Sequence, residues 1–177
     1  TDVISAIHDC GSEVTLLSTE PYICPEAPVV IRQDGLNEAL NWILPQCEEP
    51  ILIVMSDLPL VTKETILKVC SSKCDLAIVP GLGGGTNIMF IRDPKKYHVQ
   101  YYGYSYQQHI EIAEKLGMTV ECIDSMRMST DVDEPADLVE LLIHGTGKAK
   151  EWLIQHEFTL SAESGRVKIK RRGIDVV

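Results

Sequence analysis

The sequence predicts an α/β fold in which a mainly parallel β-sheet is covered by helices on both faces. Short, strand-like apolar segments alternate with amphipathic helical segments along most of the 177 residues. Residues 51–55 (ILIVM) are continuously apolar, as expected for a parallel strand that is buried on both faces. Because ligands of such sheets bind beyond the carboxyl ends of the strands, we expect the reactive side chains there.

The first half of the chain alternates helices and strands. Val3, Ile4 and Ile7 follow helical spacing, and Thr62 is suited to cap a helix that begins at residue 63. The predicted elements are helix 2–7, strands 14–17 and 29–31, helix 38–46, strand 51–55, helix 63–71 and strand 75–80. The chain therefore opens inside a helix, which indicates that the first strand of the fold is missing from this sequence.

The second half continues the alternation. Gly117 is suited to end a helix, and Pro135 to begin one. The predicted elements are strand 88–91, helix 108–116, strand 120–123, helices 135–144 and 148–156, and a hairpin over 158–170 whose turn is centred on Ser164 and Gly165.

Composition excludes several classes of protein. With 45% hydrophobic and 24% charged residues, the chain resembles ordinary soluble globular proteins. Its apolar runs are far shorter than a bilayer span, and no signal peptide opens it, so we expect no membrane association and a cytoplasmic location. The net charge of −10 disfavours nucleic-acid binding. Six cysteines without metal-binding or redox spacing are expected to be reduced thiols.

Asp57 follows the most apolar predicted strand. A carboxylate in that position is poorly solvated unless a cation or hydrogen-bond donors meet it. The placement suits a metal ligand, although an aspartate that caps the following loop would fit equally well.

Asp131 and Asp133 flank Val132 in a segment, residues 129–133, that we expect to be extended. Their side chains would then share one face, roughly 6–7 Å apart. A divalent cation would relieve their repulsion, and Mg²⁺ is the ion that bridges carboxylates and phosphates in transfer reactions. The alternative is that Asp133 only caps the helix that begins at Pro135.

Two segments are candidates for binding an anion. Residues 83–87 (GGGTN) let backbone N–H groups approach a phosphate closely, but they match neither of the common glycine-rich phosphate-binding motifs, so a flexible loop is the alternative. Gly103, Ser105 and, one turn later, His109 form a second candidate where a helix begins. His109 could instead be an ordinary surface histidine.

Five motifs occur in a characteristic order: residues 34–40 (DGLNEAL), 56–60 (SDLPL), 83–87 (GGGTN), 102–109 (YGYSYQQH) and 131–138 (DVDEPADL). As a set they resemble the archaeal 2-phospho-L-lactate guanylyltransferase family of coenzyme F-420 biosynthesis. The resemblance implies a nucleotidyltransferase fold of the glycosyltransferase-A type. It also implies that GTP and 2-phospho-L-lactate react to give lactyl-2-diphospho-5′-guanosine and pyrophosphate. Some relatives prefer phosphoenolpyruvate.

The resemblance also implies roles for single residues. Asp57, Asp131 and Asp133 would be the catalytic residues and would hold Mg²⁺. The nucleotide would be bound by Asp34, Gly35 and Asn37, and the phosphate of the acceptor by Gly85, Thr86, Asn87, Gly103 and Ser105. Members of the family begin with a strand and a basic triphosphate-binding loop, which we expect to be missing before Thr1.

Residues 1–145 are expected to form the nucleotidyltransferase domain, and residues 146–177 a C-terminal extension of one helix and a hairpin. Trp152, Leu153 and Phe158 could pack against a second copy, so we expect a homodimer. A basic cluster lies at the end of the chain and would be a solvated strand face or a subunit contact; it comprises Arg166, Lys168, Lys170, Arg171 and Arg172.

Two other functions remain open at this point. One is a nucleotidyltransferase of the same fold with phosphoenolpyruvate, molybdopterin or a sugar phosphate as acceptor. The other is a non-catalytic nucleotide-binding subunit.

Overall fold

A computed structural model of the chain describes residues 2–163, 165–172 and 174–175. The helices are α1 (Asp2–His8), α2 (Leu36–Ile43), α3 (Lys63–Cys70), α4 (Ser105–Lys115), α5 (Met126–Ser129), α6 (Leu138–His144) and α7 (Lys148–Gln155). The strands are β1 (Leu16–Ser18), β2 (Val29–Ile31), β3 (Ile51–Val54), β4 (Leu76–Pro80), β5 (Thr86–Ile91), β6 (Val120–Cys122), β7 (Phe158–Glu163), β8 (Arg166–Arg171) and β9 (Ile174–Asp175).

Local sequence signals explain several of these boundaries. Thr62 and Thr65 form a reciprocal capping box at the start of α3, with the Thr62 N–H donating to Thr65 Oγ1 at 2.9 Å. Pro135 begins a 3₁₀ turn, Pro135–Asp137, that leads into α6. The predicted capping residue of α3 and the predicted start near Pro135 are therefore confirmed.

The central sheet has the strand order β3-β5-β4-β6. Strands β3, β4 and β6 share one direction, and β5 runs against them. The reversal follows from the connection between β4 and β5, residues 81–85, because parallel neighbours need a crossover of a dozen or more residues. Strands β1 and β2 form a separate parallel pair, and a cleft of about 870 Å³ lies between β1 and β3.

Helices cover both faces of the central sheet, as predicted. One face of β4 and β5 packs against α1, α3 and α5, and the other against α2, α4 and the segment 97–101. The first face carries Ala77, Val79, Ile88 and Phe90, and the second carries Leu76, Ile78, Met89 and Ile91. The carboxyl end of β4 and the amino end of β5 meet at one edge of the sheet. Because both strands are buried on both faces, these two ends are held rigidly.

The C-terminal elements pack on α6 through a smaller apolar cluster. It comprises Leu60, Leu141, Leu142, Leu153 and Ile169. The predicted helix and the strands of the predicted hairpin are both present as α7 and β7–β8, whereas Ser164 of the predicted turn lies outside the described residues. The division of the chain at residue 145 stays a prediction.

Several predicted boundaries were wrong, and three of them lie at the site. Strand β5 begins at Thr86, two residues before the predicted start, so Thr86 and Asn87 belong to the strand. Helix α4 begins at Ser105, three residues before the predicted start, so the aromatic segment runs directly into it. Helix α5 ends at Ser129, and the extended segment that carries the aspartates therefore begins only at Thr130.

Across the part of the chain that the structure describes, every helix is too short or too polar to cross a bilayer.

Candidate active site

A β-bulge lies at the start of β5, next to the loop that joins it to β4. Val79 pairs with Ile88, whereas Pro80 pairs with Thr86, so Asn87 is an extra residue between them. The bulge interrupts the regular alternation of side chains between the two faces of the sheet.

The interruption re-aims two polar side chains. Ile88 faces α3 and α5, and Met89 faces α4, so regular alternation would direct Asn87 towards α4 and Thr86 towards α5. The structure shows the opposite: Asn87 contacts residues of the α5 side, and Thr86 bonds to His109 on α4. The bulge therefore presents one polar group to each side of the same sheet edge.

On the α5 side, Asn87 orients one of the predicted aspartates. Its Nδ2 donates to the Met128 carbonyl oxygen at 3.1 Å and to Asp131 Oδ1 at 3.4 Å. The Asn87 carbonyl oxygen accepts the Met55 N–H at 2.9 Å, which ties the same residue to the end of β3. Asn87 thus links the two segments that carry Asp57 and Asp131.

The backbone brings Asp57 to the other two aspartates. The Val132 N–H donates to the Asp57 carbonyl oxygen at 3.0 Å, so the segment after β3 runs beside the segment 131–133. Asp131 is half-buried, whereas Asp57 and Asp133 are exposed to solvent. Three carboxylates that are far apart in the sequence therefore gather at the carboxyl end of β3.

The pKa of Asp57 reports this arrangement. Partial burial among protein atoms raises it, a hydrogen bond from the Asp57 backbone lowers it, and the charges of Asp131 and Asp133 raise it further. Because folding raises this pKa, the ionised carboxylate opposes folding. Stability falls as the pH rises through the window between the unfolded and the folded pKa. A cation at this position would offset the repulsion.

The donor set fits a hard cation, since it offers carboxylate oxygens and no sulfur or nitrogen. Among the described residues, however, no three His, Cys, Asp or Glu side chains are already arranged as a metal site. An ion would therefore have to draw the three carboxylates closer together.

Capping of α6 does not use the Asp133 side chain. Asp137 accepts the backbone N–H groups of Asp133, at 3.0 Å, and of Glu134, at 2.7 Å, and Glu134 occupies the capping position of the 3₁₀ turn that leads into α6. The alternative in which Asp133 caps this helix is therefore wrong.

On the α4 side, Thr86 joins a buried polar cluster. Its Oγ1 lies 2.9 Å from His109 Nδ1 and 3.1 Å from Ser105 Oγ. Thr86, Ser105 and His109 are all buried, so the surface location considered for His109 is wrong. The predicted residues Thr86 and Ser105 lie together, although Ser105 follows Thr86 by 19 positions.

The amino end of α4 is part of this cluster, because Ser105 is the first residue of the helix. Tyr102 and Gly103 both have positive φ angles, 79° and 66°, which turn the chain sharply into the helix. Tyr104 occupies the capping position and makes no side-chain cap. The first N–H groups of α4 therefore have no side-chain cap, and binding of an anion by Gly103 and Ser105 stays a prediction.

The predicted nucleotide-binding residues lie around the start of α2. Asp34 pairs with Arg32, whose guanidinium stacks on Trp42 at 4.4 Å. Gly35 precedes α2, and a Cβ there would lie 2.5 Å from Glu38 Oε2. Their contact with a nucleotide stays a prediction.

Asn37 holds the backbone in place. Its side-chain amide donates to the Tyr101 carbonyl oxygen at 3.1 Å and accepts the Tyr101 N–H at 2.6 Å. Asn41, one turn later, holds Val99 in the same way. The two asparagines therefore position the segment that leads to Gly103. The repeated i, i+4 asparagines on α2 were the sequence signal for this role.

Gly81 is a residue of the site that sequence reasoning missed. A Cβ at this position would lie 2.2 Å from Asn87 Oδ1, so only glycine leaves room for the Asn87 amide. Gly81 was missed because the glycine-rich segment 83–85 follows it and is the candidate anion site. The bulge that creates the contact with Asn87 has no sequence signature of its own.

The family model and the relatives that match this chain point to the same enzyme family. A family model described as guanylyl transferase CofC-like matches residues 1–172. A 2-phospho-L-lactate guanylyltransferase of Methanocorpusculum labreanum is 61% identical over 176 residues, which are 99% of this chain and 83% of that protein. Enzymes of the same name from Methanosarcina mazei and Methanoregula boonei are 49% and 46% identical. These matches cover 93% and 96% of this chain, and 81% and 79% of the two relatives.

Solved structures support the fold. A Desulfovibrio desulfuricans protein assigned to the nucleotide-diphospho-sugar transferases superposes with a TM-score of 0.68 at 16% identity, over 88% of this chain and 78% of that one. A hypothetical transferase from Thermus thermophilus gives 0.54 at 16% identity, over 75% and 82%. The predicted nucleotidyltransferase fold is thereby confirmed.

We predict that Gly81→Ala destabilises the protein by displacing the Asn87 amide. Overpacking of this kind costs about 1–3 kcal/mol. The matched control is Gly85→Ala, whose backbone is also extended and whose Cβ would meet no atom within 4 Å. Chemical denaturation of the two variants measures the difference, and equal unfolding free energies would contradict the proposed contact.

We also predict that Asp131→Asn lowers the pKa of Asp57, because it removes one of the neighbouring negative charges. The measurement is a carboxyl ¹³C NMR titration without divalent cations. Glu111→Gln, an exposed change on α4, is the control and should leave this pKa where it is. An unchanged Asp57 pKa in Asp131→Asn would mean that the carboxylates do not interact.

Proposed function

The chain belongs to the CofC-like guanylyl transferase family, and we propose that it condenses GTP with 2-phospho-L-lactate to give lactyl-2-diphospho-5′-guanosine and pyrophosphate. The reaction is a nucleotidyl transfer and would serve coenzyme F-420 biosynthesis. Family membership covers nearly the whole chain, and the relatives that carry the enzyme name are up to 61% identical.

The convergence of Asp57, Asp131 and Asp133 is the structural observation that supports this proposal most directly. These carboxylates come from two distant segments, and the Asp57 pKa is raised mainly by partial burial and further by the charges of the other two. Such a cluster opposes folding as long as its charges are unbalanced, so its presence at a sheet edge is better explained by a functional role than by stability.

The proposed reaction needs no strong base. An oxygen of the acceptor phosphate, already ionised at neutral pH, forms a bond to the α-phosphorus of GTP. The bond between that phosphorus and the bridging oxygen breaks, and the electron pair leaves with pyrophosphate. Catalysis then depends on alignment of the two phosphates and on stabilisation of their charges.

The residues of this chain would divide the work. Asp57, Asp131 and Asp133 would hold Mg²⁺, which supplies neutralisation of the triphosphate charge when bound. Asn87 would keep Asp131 in position through its bond to Oδ1. Thr86, Ser105 and the free N–H groups at the start of α4 would bind the acceptor, together with Gly85 and Gly103.

The nucleotide would lie beside the start of α2, near Asp34, Gly35 and Asn37. This part of the proposal is supported by the sequence resemblance and by the position of these residues at the end of β2. A cytoplasmic location belongs to the same proposal. All six cysteines are unpaired, as suits a reducing compartment.

We predict that Asp57→Asn and Asp131→Asn each reduce Mg²⁺-dependent pyrophosphate release from GTP and 2-phospho-L-lactate by ~10²-fold or more, because positioned charge stabilisation is lost. Mass spectrometry identifies the product, and a panel with phosphoenolpyruvate, ATP, CTP and UTP defines the substrates.

The control for this experiment is Asp93→Asn, which removes a partly exposed carboxylate that pairs locally with Lys96. It should retain the activity of the unchanged protein. Full activity in Asp57→Asn and Asp131→Asn would favour a non-catalytic nucleotide-binding subunit instead.

We further propose that the protein is a homodimer, with contacts from the C-terminal elements. Leu153, which we had expected at the interface, is buried in its own chain, whereas Trp152 is 53% and Ile154 56% exposed. Leu160 and Val167 on the hairpin are also exposed. An apolar surface of this kind is typical of a subunit contact.

Light scattering should therefore give twice the mass of one chain. Trp152→Glu should shift the protein towards the monomer, since it places a charge in the apolar contact. Ile23→Glu is the control and should not do so, because Ile23 is exposed and lies far from Trp152 in the sequence. A monomeric mass for the unchanged protein would refute the dimer.

A further inference from the structure

His109 is a fully buried histidine to which the proposed reaction assigns no role. It lies on α4, and its ring packs edge-on against Tyr101 at 4.9 Å. Both ring nitrogens have partners: Nε2 lies 2.9 Å from the Gln100 backbone nitrogen, and Nδ1 lies 2.9 Å from Thr86 Oγ1.

The partner of Nε2 determines where the ring carries its proton. A backbone N–H can only donate, so Nε2 must accept the bond from Gln100 and cannot carry a hydrogen. Burial, together with the neighbouring His98, lowers the pKa of His109 to about 4, so the ring is neutral near pH 7. A neutral ring with an unprotonated Nε2 is protonated at Nδ1, which therefore donates to Thr86.

This direction changes what the two hydroxyl groups can offer. Thr86 and Ser105 are 3.1 Å apart and share one hydrogen bond, which uses one of their two protons. Since His109 supplies the proton for its own bond to Thr86, the second hydroxyl proton stays free. With the opposite tautomer, Thr86 would have to donate to Nδ1 and Ser105 to Thr86, and both protons would be used.

The free proton lies beside two other features that attract negative charge. Thr86 and Ser105 are at the amino end of α4, where the helix has no side-chain cap and Gly103 turns the chain sharply. An anionic oxygen bound here would accept both the helix N–H groups and one hydroxyl proton.

We propose that His109 is a positioning residue whose Nδ1–H donates to Thr86 and thereby leaves one hydroxyl proton of the Thr86–Ser105 pair free, so that the pair donates one O–H to an anionic oxygen of the acceptor. The inference rests on the proposed function for the identity of the acceptor. The tautomer itself depends only on the contacts of His109.

The first test is the protonation state of the ring. Long-range ¹H–¹⁵N NMR correlation of the free protein distinguishes a ring protonated at Nδ1 from one protonated at Nε2. We expect the Nδ1–H form between pH 6 and pH 8, because the low pKa of His109 keeps the ring neutral in this range. An Nε2–H ring, or a charged one, would overturn the proposal whether or not the protein is an active guanylyltransferase.

The second test separates the two nitrogens by substitution. In His109→Asn the amide N–H can replace Nδ1–H, whereas in His109→Gln the longer side chain can replace only the Nε2 contact. We expect His109→Gln to raise the KM for 2-phospho-L-lactate by about 10-fold or more, since a hydrogen bond to a charged group is lost, with the KM for GTP unchanged. His109→Asn should restore most of the affinity.

His8→Gln is the matched control, because His8 is an exposed imidazole on α1, which packs on the opposite face of the sheet, and it should leave both KM values unchanged. Equal effects of His109→Gln and His109→Asn, or equal increases in both KM values, would overturn the proposal. If the unchanged protein fails to turn over GTP, the proposed function fails, and the NMR result alone decides the role of His109.

Thr86→Val keeps the inference testable if His109→Gln does not fold. The change preserves the shape of the side chain and removes the hydroxyl group. It should raise the KM for the acceptor to a similar extent and shift the His109 Nδ1 resonance. Where His109→Gln does fold, its difference in KM from the unchanged His109 should disappear in the Thr86→Val background, and a persisting difference would contradict a path through Thr86.

Discussion

The extra residue at the start of β5 is the constraint on which the arrangement of the site depends. Because of that bulge, Thr86 and Asn87 reach opposite sides of one sheet edge: Asn87 bonds to Asp131, and Thr86 bonds to His109 and Ser105. A regular strand would exchange their directions and break both sets of contacts. Gly81 makes the bulge possible, since any side chain there would collide with the Asn87 amide.

The two sides of this edge differ in their electrostatic character. The α5 side concentrates carboxylates, and partial burial together with the charges of Asp131 and Asp133 raises the pKa of Asp57. The α4 side offers hydrogen-bond donors: a buried hydroxyl pair and the uncapped start of a helix. A cation suits the first and an anion the second. A reaction between two phosphorylated substrates would use both, because one phosphate must approach the other while their charges are balanced.

Much of the site was predictable from residue types, and some of it from family resemblance. The residues alone gave two separate candidates for a metal ligand, Asp57 after an apolar strand and the pair Asp131 and Asp133. Their convergence was implied only by the family resemblance, and the structure places the charges of Asp131 and Asp133 close enough to affect Asp57. The roles of Asp34, Gly35 and Asn37 remain predictions. The buried state of His109 and the clamp formed by Asn37 and Asn41 were not predicted, because both depend on where a distant segment, residues 97–101, crosses the helices.

The sequence by itself determined the order of helices and strands, the cover on both faces of the sheet and the class of chemistry, since these follow from local periodicity, capping residues and motif order. The reversed direction of β5 was not predicted, because the five-residue connection that requires it is evident only once β5 is seen to begin at Thr86. Only the tertiary structure decided which way Thr86 and Asn87 point, which nitrogen of His109 carries the proton and which aspartate is held by an amide. Each of these depends on pairing register or on a single donor from another segment, and neither leaves a repeating pattern in the chain.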